Sequence, residues 1–246
     1  MNHVCVMNLV QHRFVNNATA LRYHGDVTGQ QFTRARSESA KQQRQAAITD
    51  AARGLAASRG IREITLTDIA AAVGMHKSAM LRYFETREEI FLHLTADGWR
   101  EWSADVRAAL ATIEPGDADA VAGLLARTLA TRGMFCDLLA QAPLNLERRV
   151  SVDAVRDFKT VTHAELDAIV TAIQRVLPAL SASNGVDLIA AITAMAGVFW
   201  QVATPGPEIA EFYLTDPLLG HAVLDVEPRL RRITGYLLHG IETSEK

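Results

Sequence analysis

One stretch, Thr67–Phe84, constrains the fold more than any other; it reads TDIAAAVGMHKSAMLRYF. Its apolar residues recur at helical spacing in two short runs: Ile69, Ala70 and Val73, then Met80 and Phe84. Gly74 lies between the runs, where the end of a helix favours a residue that adopts positive φ. The stretch therefore predicts a helix, a tight turn and a second helix.

The second of these helices has an outward face, formed by Lys77, Ser78, Leu81 and Arg82. Two short helices joined by a tight turn with glycine form the unit that places its second helix in the major groove of DNA. The sequence therefore predicts a helix-turn-helix at about residues 66–85.

The helix-turn-helix and its flanks resemble the tetracycline-repressor (TetR/AcrR) family of transcriptional regulators. The matching residues are Ile48, Ala51, Ala52, Gly60, Thr67, Ile69, Ala70, Gly74, Lys77, Tyr83, Phe84, Arg87, Glu88, Glu89 and Ile90. The resemblance implies a three-helix DNA-binding head, followed by a larger helical body that binds a ligand and dimerises.

The distribution of charge agrees with such a division. The net charge of −3 alone argues against nucleic acid, but residues 1–93 hold 12 Lys+Arg against 8 Asp+Glu, and residues 94–246 hold 13 against 20. A basic N-terminal part joined to an acidic remainder is typical of a DNA-reading head on a body with other partners.

Helical periods continue to the end of the chain, with breaks at Pro115, Pro178 and Thr204–Pro207. The sequence has no strand-like alternation, so we expect an all-α protein with about nine main helices. The expected division is a disordered or flexible tail over residues 1–36, a DNA-binding domain over 37–94, and a ligand-binding and dimerisation domain over 95–246.

The tail is polar and has no sustained period. It is either disordered or the product of a start site assigned too far upstream. The alternative is a basic arm that contacts the minor groove or phosphates, supported by Arg34, Arg36, Lys41 and Arg44.

The resemblance assigns His76–Tyr83 to the groove and Arg87 to a phosphate contact. The predicted DNA-binding residues are Arg44, Thr67, His76, Lys77, Ser78, Arg82, Tyr83 and Arg87. Three positions depart from the family: Leu81 stands where many members have a phosphate-contacting Tyr, His76 replaces a Ser or Thr cap, and Ala79 replaces a frequent Thr. Specificity would then depend on His76, Ser78 and the arm.

Many family members bind an inducer in the body, where this chain clusters apolar and aromatic residues. The predicted ligand-binding residues are Trp99, Trp102, Phe135, Phe158, His163, Met195, Phe199 and Trp200. Gln201 and Cys136 are further polar candidates. The alternative is that these aromatic residues and Met195 only form core.

In the family, the last two main helices pair across a two-fold axis. The predicted interface residues are Ile192, Gly197, Leu230, Ile233, Leu237 and Ile241. Packing within one chain is the alternative. The apolar run Leu188–Val202 is shorter than the roughly 20 residues that span a bilayer, so we expect a buried interface helix and no membrane segment.

Known catalytic motifs, phosphate-binding loops and metal-binding motifs are absent from the sequence, so no enzyme activity, cofactor or metal is expected. Two cysteines, Cys5 and Cys136, suit a reducing cytoplasm. The sequence favours a cytoplasmic, homodimeric repressor that binds a pseudo-palindromic operator and is released by a small apolar ligand. The alternatives are a small-molecule-binding protein or enzyme with a vestigial helix-turn-helix, and a regulator that binds DNA constitutively.

Overall fold

The computed structural model describes residues 27–216, 218 and 224–244, with the backbone alone for residues 27–37, 242 and 244. The chain divides into two compact units, residues 1–40 and 41–246. Regular elements in the described residues are all helical, which confirms the all-α class. The α-helices are α1 Val27–Arg59, α2 Leu66–Ala72, α3 Lys77–Met80, α4 Arg87–Leu110, α5 Ala118–Ala130, α6 Gly133–Gln141, α7 Val152–Val176, α8 Ala182–Ala203, α9 Pro207–Thr215 and α10 Val226–Ser244.

Residues 41–86, which we call the head, pack around a small apolar core. Its buried members are Ile48, Ala52, Ala56, Ile61, Ile64, Ile69, Ala70, Met80 and Phe84. The chain leaves α1 at Gly60, whose φ of 77° belongs to the left-handed region that glycine tolerates. A 3₁₀ turn, Ile61–Glu63, then leads into α2.

The start of α2 is fixed by a reciprocal pair of hydrogen bonds. The N–H of Asp68 donates to Oγ1 of Thr65 at 3.1 Å, and the N–H of Thr65 donates to Oδ2 of Asp68 at 2.8 Å. This capping box satisfies two N–H groups that the helix itself leaves without partners. The bonds from the side chain and backbone of Thr65, assisted by the nearby Arg59, lower the pKa of Asp68 from its ordinary value.

The body, residues 87–244, is built on α4. This helix has 24 residues and spans roughly 36 Å at 1.5 Å per residue. Thr86 caps it, because Oγ1 accepts from the N–H of Glu89 at 3.0 Å. In the body α4 packs on α7, α5 on α10, and α6 on α8. Because α4 begins at the head and ends in the body, it joins the two.

α1 begins at Val27, so residues 27–36 of the expected tail are helical, while residues 1–26 lie outside the described part. The mostly polar residues 27–36 form no apolar stripe, although Gln, Arg and Ala favour helix. α8 begins at Ala182. Gly185 in its first turns is a packing position, since a Cβ there would lie 2.6 Å from Cγ1 of Val170.

Past α6 the chain passes through a π-helical turn, Ala142–Leu146, and a 3₁₀ turn, Glu147–Arg149. Pro143 lies in the π-helical turn, and a proline interrupts the hydrogen-bond ladder of an ordinary α-helix. α8 is the one described helix that is long and apolar enough to cross a bilayer by length and composition alone. It packs on α6, α7 and α10, which is the behaviour of a core helix.

Candidate nucleic-acid interface

The helix-turn-helix consists of α2, a turn and the single-turn helix α3. Gly74 has a φ of 65°, and the N–H of Met75 donates to the carbonyl of Ala70 at 2.8 Å, which closes the turn. Met80 is fully buried and Phe84 is 2% exposed, so the inner side of α3 is anchored in the head. The anchoring determines which side chains of α3 face outward.

The outward side of α3 and of the residues that flank it is formed by His76, Lys77, Ser78, Leu81 and Arg82, and we call it the recognition face. All five side chains are exposed, and Leu81 has 53% of its surface exposed to solvent. Within the described residues, none of its polar side chains has a hydrogen bond or ion pair. His76 is the N-cap residue of α3 but makes no capping bond with its side chain. These groups are therefore available to an outside partner.

Three other predicted DNA-binding residues lie on or next to the three helices of the head. Arg44 on α1 and Thr67 on α2 are exposed, and Tyr83 is half-buried. Nε2 of Gln45 donates to the carbonyl of Tyr83 at 3.2 Å, which ties α1 to the end of the helix-turn-helix. Gln45 gives no signal in the sequence, because its partner is 38 residues away and is a backbone atom.

Arg87 has a different environment from the other predicted phosphate contacts. Its guanidinium donates to the carbonyls of Ile61 and Ile64, pairs with Glu88, and lies 4.7 Å from the centre of the Phe91 ring. Its side chain is only 20% exposed. This geometry favours a role inside the protein, where Arg87 holds the turn between α1 and α2 against α4.

Three of the predicted ligand-binding residues, Trp99, Trp102 and Phe135, form one buried aromatic cluster. Their ring centres are 5.6 to 6.1 Å apart. Nε1 of Trp102 donates to Oγ1 of Thr128 at 3.0 Å. A Cβ at Gly98 would lie 2.3 Å from the Phe135 ring, so this glycine is needed for the close packing.

The other five predicted residues are dispersed. Phe158 lines a slot of about 70 Å³ between α4 and α7, and Trp200 lines a separate cleft of about 350 Å³. His163 is exposed on α7, whereas Met195 and Phe199 are half-buried on α8. The structure thus does not bring all eight side chains around one cavity.

The polar candidates for the body have definite partners. The Sγ of Cys136 donates to the carbonyl of Leu129 at 3.3 Å, and burial raises the pKa of this thiol to about 12. Gln201 donates to Asp137. A residue that sequence reasoning missed is Thr162, whose Oγ1 is buried and has no partner among the described residues. A buried, unpaired hydroxyl is a candidate for a ligand's hydrogen bond.

The predicted interface residues also point mainly inward. Ile192, Gly197 and Leu230 are buried within the chain, and Ile233, Leu237 and Ile241 are half-buried. Every fourth residue of α8 from Val186 to Val202 is instead an exposed alanine or valine. We call these residues the α8 stripe: Val186, Ala190, Ala194, Val198 and Val202. On α10, Tyr236 is 68% exposed.

Comparison with known protein families agrees with the helix-turn-helix. Residues 48–94 match the family described as bacterial regulatory proteins, tetR family, and residues 96–245 match the tetracyclin repressor-like, C-terminal domain. No curated protein matches the chain.

Similar solved structures include the fatty acid degradation regulator FadR from Bacillus halodurans. It has 12% identity and a TM-score of 0.46 over 77% of this chain and 97% of that one. Another is Thermus thermophilus FadR, a TetR family transcriptional repressor in complex with lauroyl-CoA, with 21% identity and a TM-score of 0.49 over 74% and 95%. Similarity at this level says nothing about the ligand of this chain. The two matched families cover residues 48–94 and 96–245, and the chain therefore belongs to the TetR family of transcriptional regulators.

Proposed function

We propose that the chain is a cytoplasmic, homodimeric repressor that binds a pseudo-palindromic operator and is released by a small apolar ligand. The exposure of the recognition face is the main observation that supports the proposal. It combines exposed cationic and hydrogen-bonding side chains with an inner side locked into the head. Such a helix can enter a major groove without rearrangement of the protein core.

The side chains of the recognition face suit different parts of a DNA duplex. Lys77 and Arg82 match phosphates, which set affinity and register. His76 and Ser78 can exchange hydrogen bonds with base edges, and exposed Leu81 suits the methyl group of thymine. Arg44, Thr67 and Tyr83 are proposed as flanking contacts. Arg87 is proposed as an internal support for the recognition face.

Dimerisation is proposed through the α8 stripe together with α10. Small and β-branched side chains allow two helices to approach closely, and their burial removes exposed apolar surface from water. A two-fold axis at this face presents the same residues from both copies, and two heads then read two half-sites. Ile192, Gly197 and Leu230 would support this face from inside each chain.

The ligand is proposed to bind in the body beside the aromatic cluster and the slot next to Phe158, with the Thr162 hydroxyl as a polar partner. A ligand releases DNA only if it prefers a spacing of the heads that does not fit the operator. The helix α4 is the proposed lever, because it extends from the head into the body.

A salt titration tests the DNA-binding proposal. The purified protein is titrated onto DNA from upstream of its own gene and onto a shuffled duplex, at several salt concentrations. We expect specific binding that weakens steeply with salt, because phosphate contacts release counterions. Equal, weak binding to both duplexes at all salt concentrations would contradict the proposal.

A further inference from the structure

A single carboxylate connects the head to two helices of the body. Asp137 on α6 lines the cleft of about 350 Å³, whose other walls are residues 56–63 of the head and the end of α8. Oδ2 of Asp137 accepts a hydrogen bond from the N–H of Ile61 at 3.3 Å. Oδ1 accepts one from Nε2 of Gln201 on α8 at 2.8 Å.

Both backbone polar groups of Ile61 form hydrogen bonds with side chains. Its N–H donates to Asp137, and its carbonyl accepts from the guanidinium of Arg87. The first N–H groups of a helical turn have no partner within the turn, and Ile61 begins the 3₁₀ turn that leads to α2. An ionised carboxylate is a strong acceptor for such a group.

The two body helices that orient Asp137 are themselves packed closely at two glycines. A Cβ at Gly133 of α6 would lie 2.2 Å from the ring of Trp200, and a Cβ at Gly197 of α8 would lie 2.9 Å from the backbone N of Ala140. The two helices therefore form one closely packed pair. The bond from Asp137 to Ile61 connects this pair to the turn that precedes α2.

We propose that Asp137 is a positioning residue for DNA binding, which fixes the head on the α6–α8 pair, and that Gln201 orients its carboxylate. α8 also carries the stripe proposed for dimerisation. The bonds from Gln201 and from Ile61 to Asp137 therefore connect each head to the proposed dimer interface. The consequence for operator binding rests on the proposed function, whereas the orientation of the head is a property of the protein without DNA.

A charge-preserving exchange of the two side chains tests the role of Asp137. Gln201→Glu places two carboxylates together and breaks the 2.8 Å bond by repulsion. Adding Asp137→Asn restores both bonds, because the new amide can donate to the new carboxylate and accept from Ile61. Gln174→Glu is the control: it breaks a comparable bond, from Nε2 of Gln174 to the carbonyl of Leu180, far along the sequence from the head.

The first measurement is a distance distribution between spin labels at two exposed positions, Ala72→Cys in the head and Thr171→Cys in the body, with Cys5 replaced by Ser. The labelled protein is mixed with an excess of unlabelled protein, so that distances between labels on different chains do not contribute, and no DNA is present. We expect a narrow distribution in the parent and the control, loss of the narrow peak in Gln201→Glu, and its return in the double variant. An unchanged distribution in Gln201→Glu, or one that the double variant fails to restore, overturns the proposal.

A second measurement covers the case in which an exchanged variant does not fold. Asp137→Ala removes both bonds without adding a charge, and hydrogen exchange is followed in the peptide 58–64. We expect exchange to accelerate by about tenfold there, with no change in α7. Equal protection in the variant and the parent overturns the proposal. Both measurements are independent of DNA binding, so their failure is distinguishable from failure of the proposed repressor function.

Discussion

The recognition face and the α8 stripe both lie outside the core, and they differ in chemistry. The recognition face combines His76, Lys77, Ser78 and Arg82 with one apolar residue, whereas the α8 stripe consists only of alanine and valine. A polar, cationic face suits a polyanion, and an apolar face suits the same face of a second copy. These two faces are therefore suited to two different kinds of partner.

A charge placed on the α8 stripe should have the largest effect on dimerisation and operator binding, because the stripe would no longer be purely apolar. Val198 is 57% exposed, so Val198→Glu should leave the monomer folded but put two like charges into the proposed interface. Loss of the dimer removes the second head, and operator affinity should fall by about 100-fold or more. Sedimentation measures the oligomeric state, and fluorescence anisotropy measures DNA binding.

The matched control for that variant is Val152→Glu on α7, where the valine is 75% exposed and far from α8 in sequence. It should remain a dimer and retain its affinity for the operator. If both variants dissociate, or neither does, the α8 stripe is not the specific interface.

Two arginines sharpen the comparison, because only one of them belongs to an outward face. Arg87→Met should lower the free energy of unfolding by about 2–3 kcal/mol, since two carbonyls and Glu88 lose a charged partner. Arg82→Met, at an exposed side chain, should leave that free energy nearly unchanged. Urea unfolding of both variants measures the difference, and equal losses would contradict the internal role of Arg87.

The contrast between these arginines also shows what the sequence could and could not predict. The apolar spacing from Ile69 to Phe84 identified the helix-turn-helix, because burial imposes a period on local residues. The resemblance assigned Arg87 to a phosphate contact, but its guanidinium binds the carbonyls of Ile61 and Ile64, which are 26 and 23 residues away. Backbone acceptors leave no pattern in a sequence, so only the structure reveals such a bond.

The same limit applies to the body. Periodicity predicted that α8 and α10 have apolar faces, yet it could not say which face meets the chain's own core and which meets a partner. Ile192 and Leu230 were predicted at the interface and are fully buried, whereas the exposed alanines and valines of the α8 stripe were not among the predicted interface residues. Partner choice for a helix that is apolar on most sides depends on tertiary packing.

A smaller effect is expected from removing one cation of the recognition face. Lys77→Ala should weaken binding about tenfold on every DNA sequence and reduce the salt dependence by about one counterion. Its control is Lys159→Ala, because Lys159 pairs with Glu147 at 2.8 Å in the body. Anisotropy titrations at several salt concentrations give both slopes. An unchanged slope for Lys77→Ala would show that Lys77 meets no phosphate.

The smallest effect concerns the capping box that aligns α2 beneath the recognition face. Thr65→Ala should lower the free energy of unfolding by about 1 kcal/mol at neutral pH, because the N–H of Asp68 loses its acceptor Oγ1 and the Asp68 carboxylate loses the bond that Oγ1 donates to it. The bonds from Thr65 lower the pKa of Asp68 below its ordinary value of 3.8, so they contribute stability above pH 3.8 that is lost as the pH falls through the lowered pKa. The difference between parent and variant should therefore narrow on acidification below pH 3.8. Thr67→Ala, at the second residue of the same helix and without a capping role, should show no such narrowing. Urea titrations at neutral pH and at several pH values below 3.8 measure the free energy of unfolding of both proteins. A difference between them that stays constant with pH would show that Thr65 does not stabilise the ionised carboxylate of Asp68.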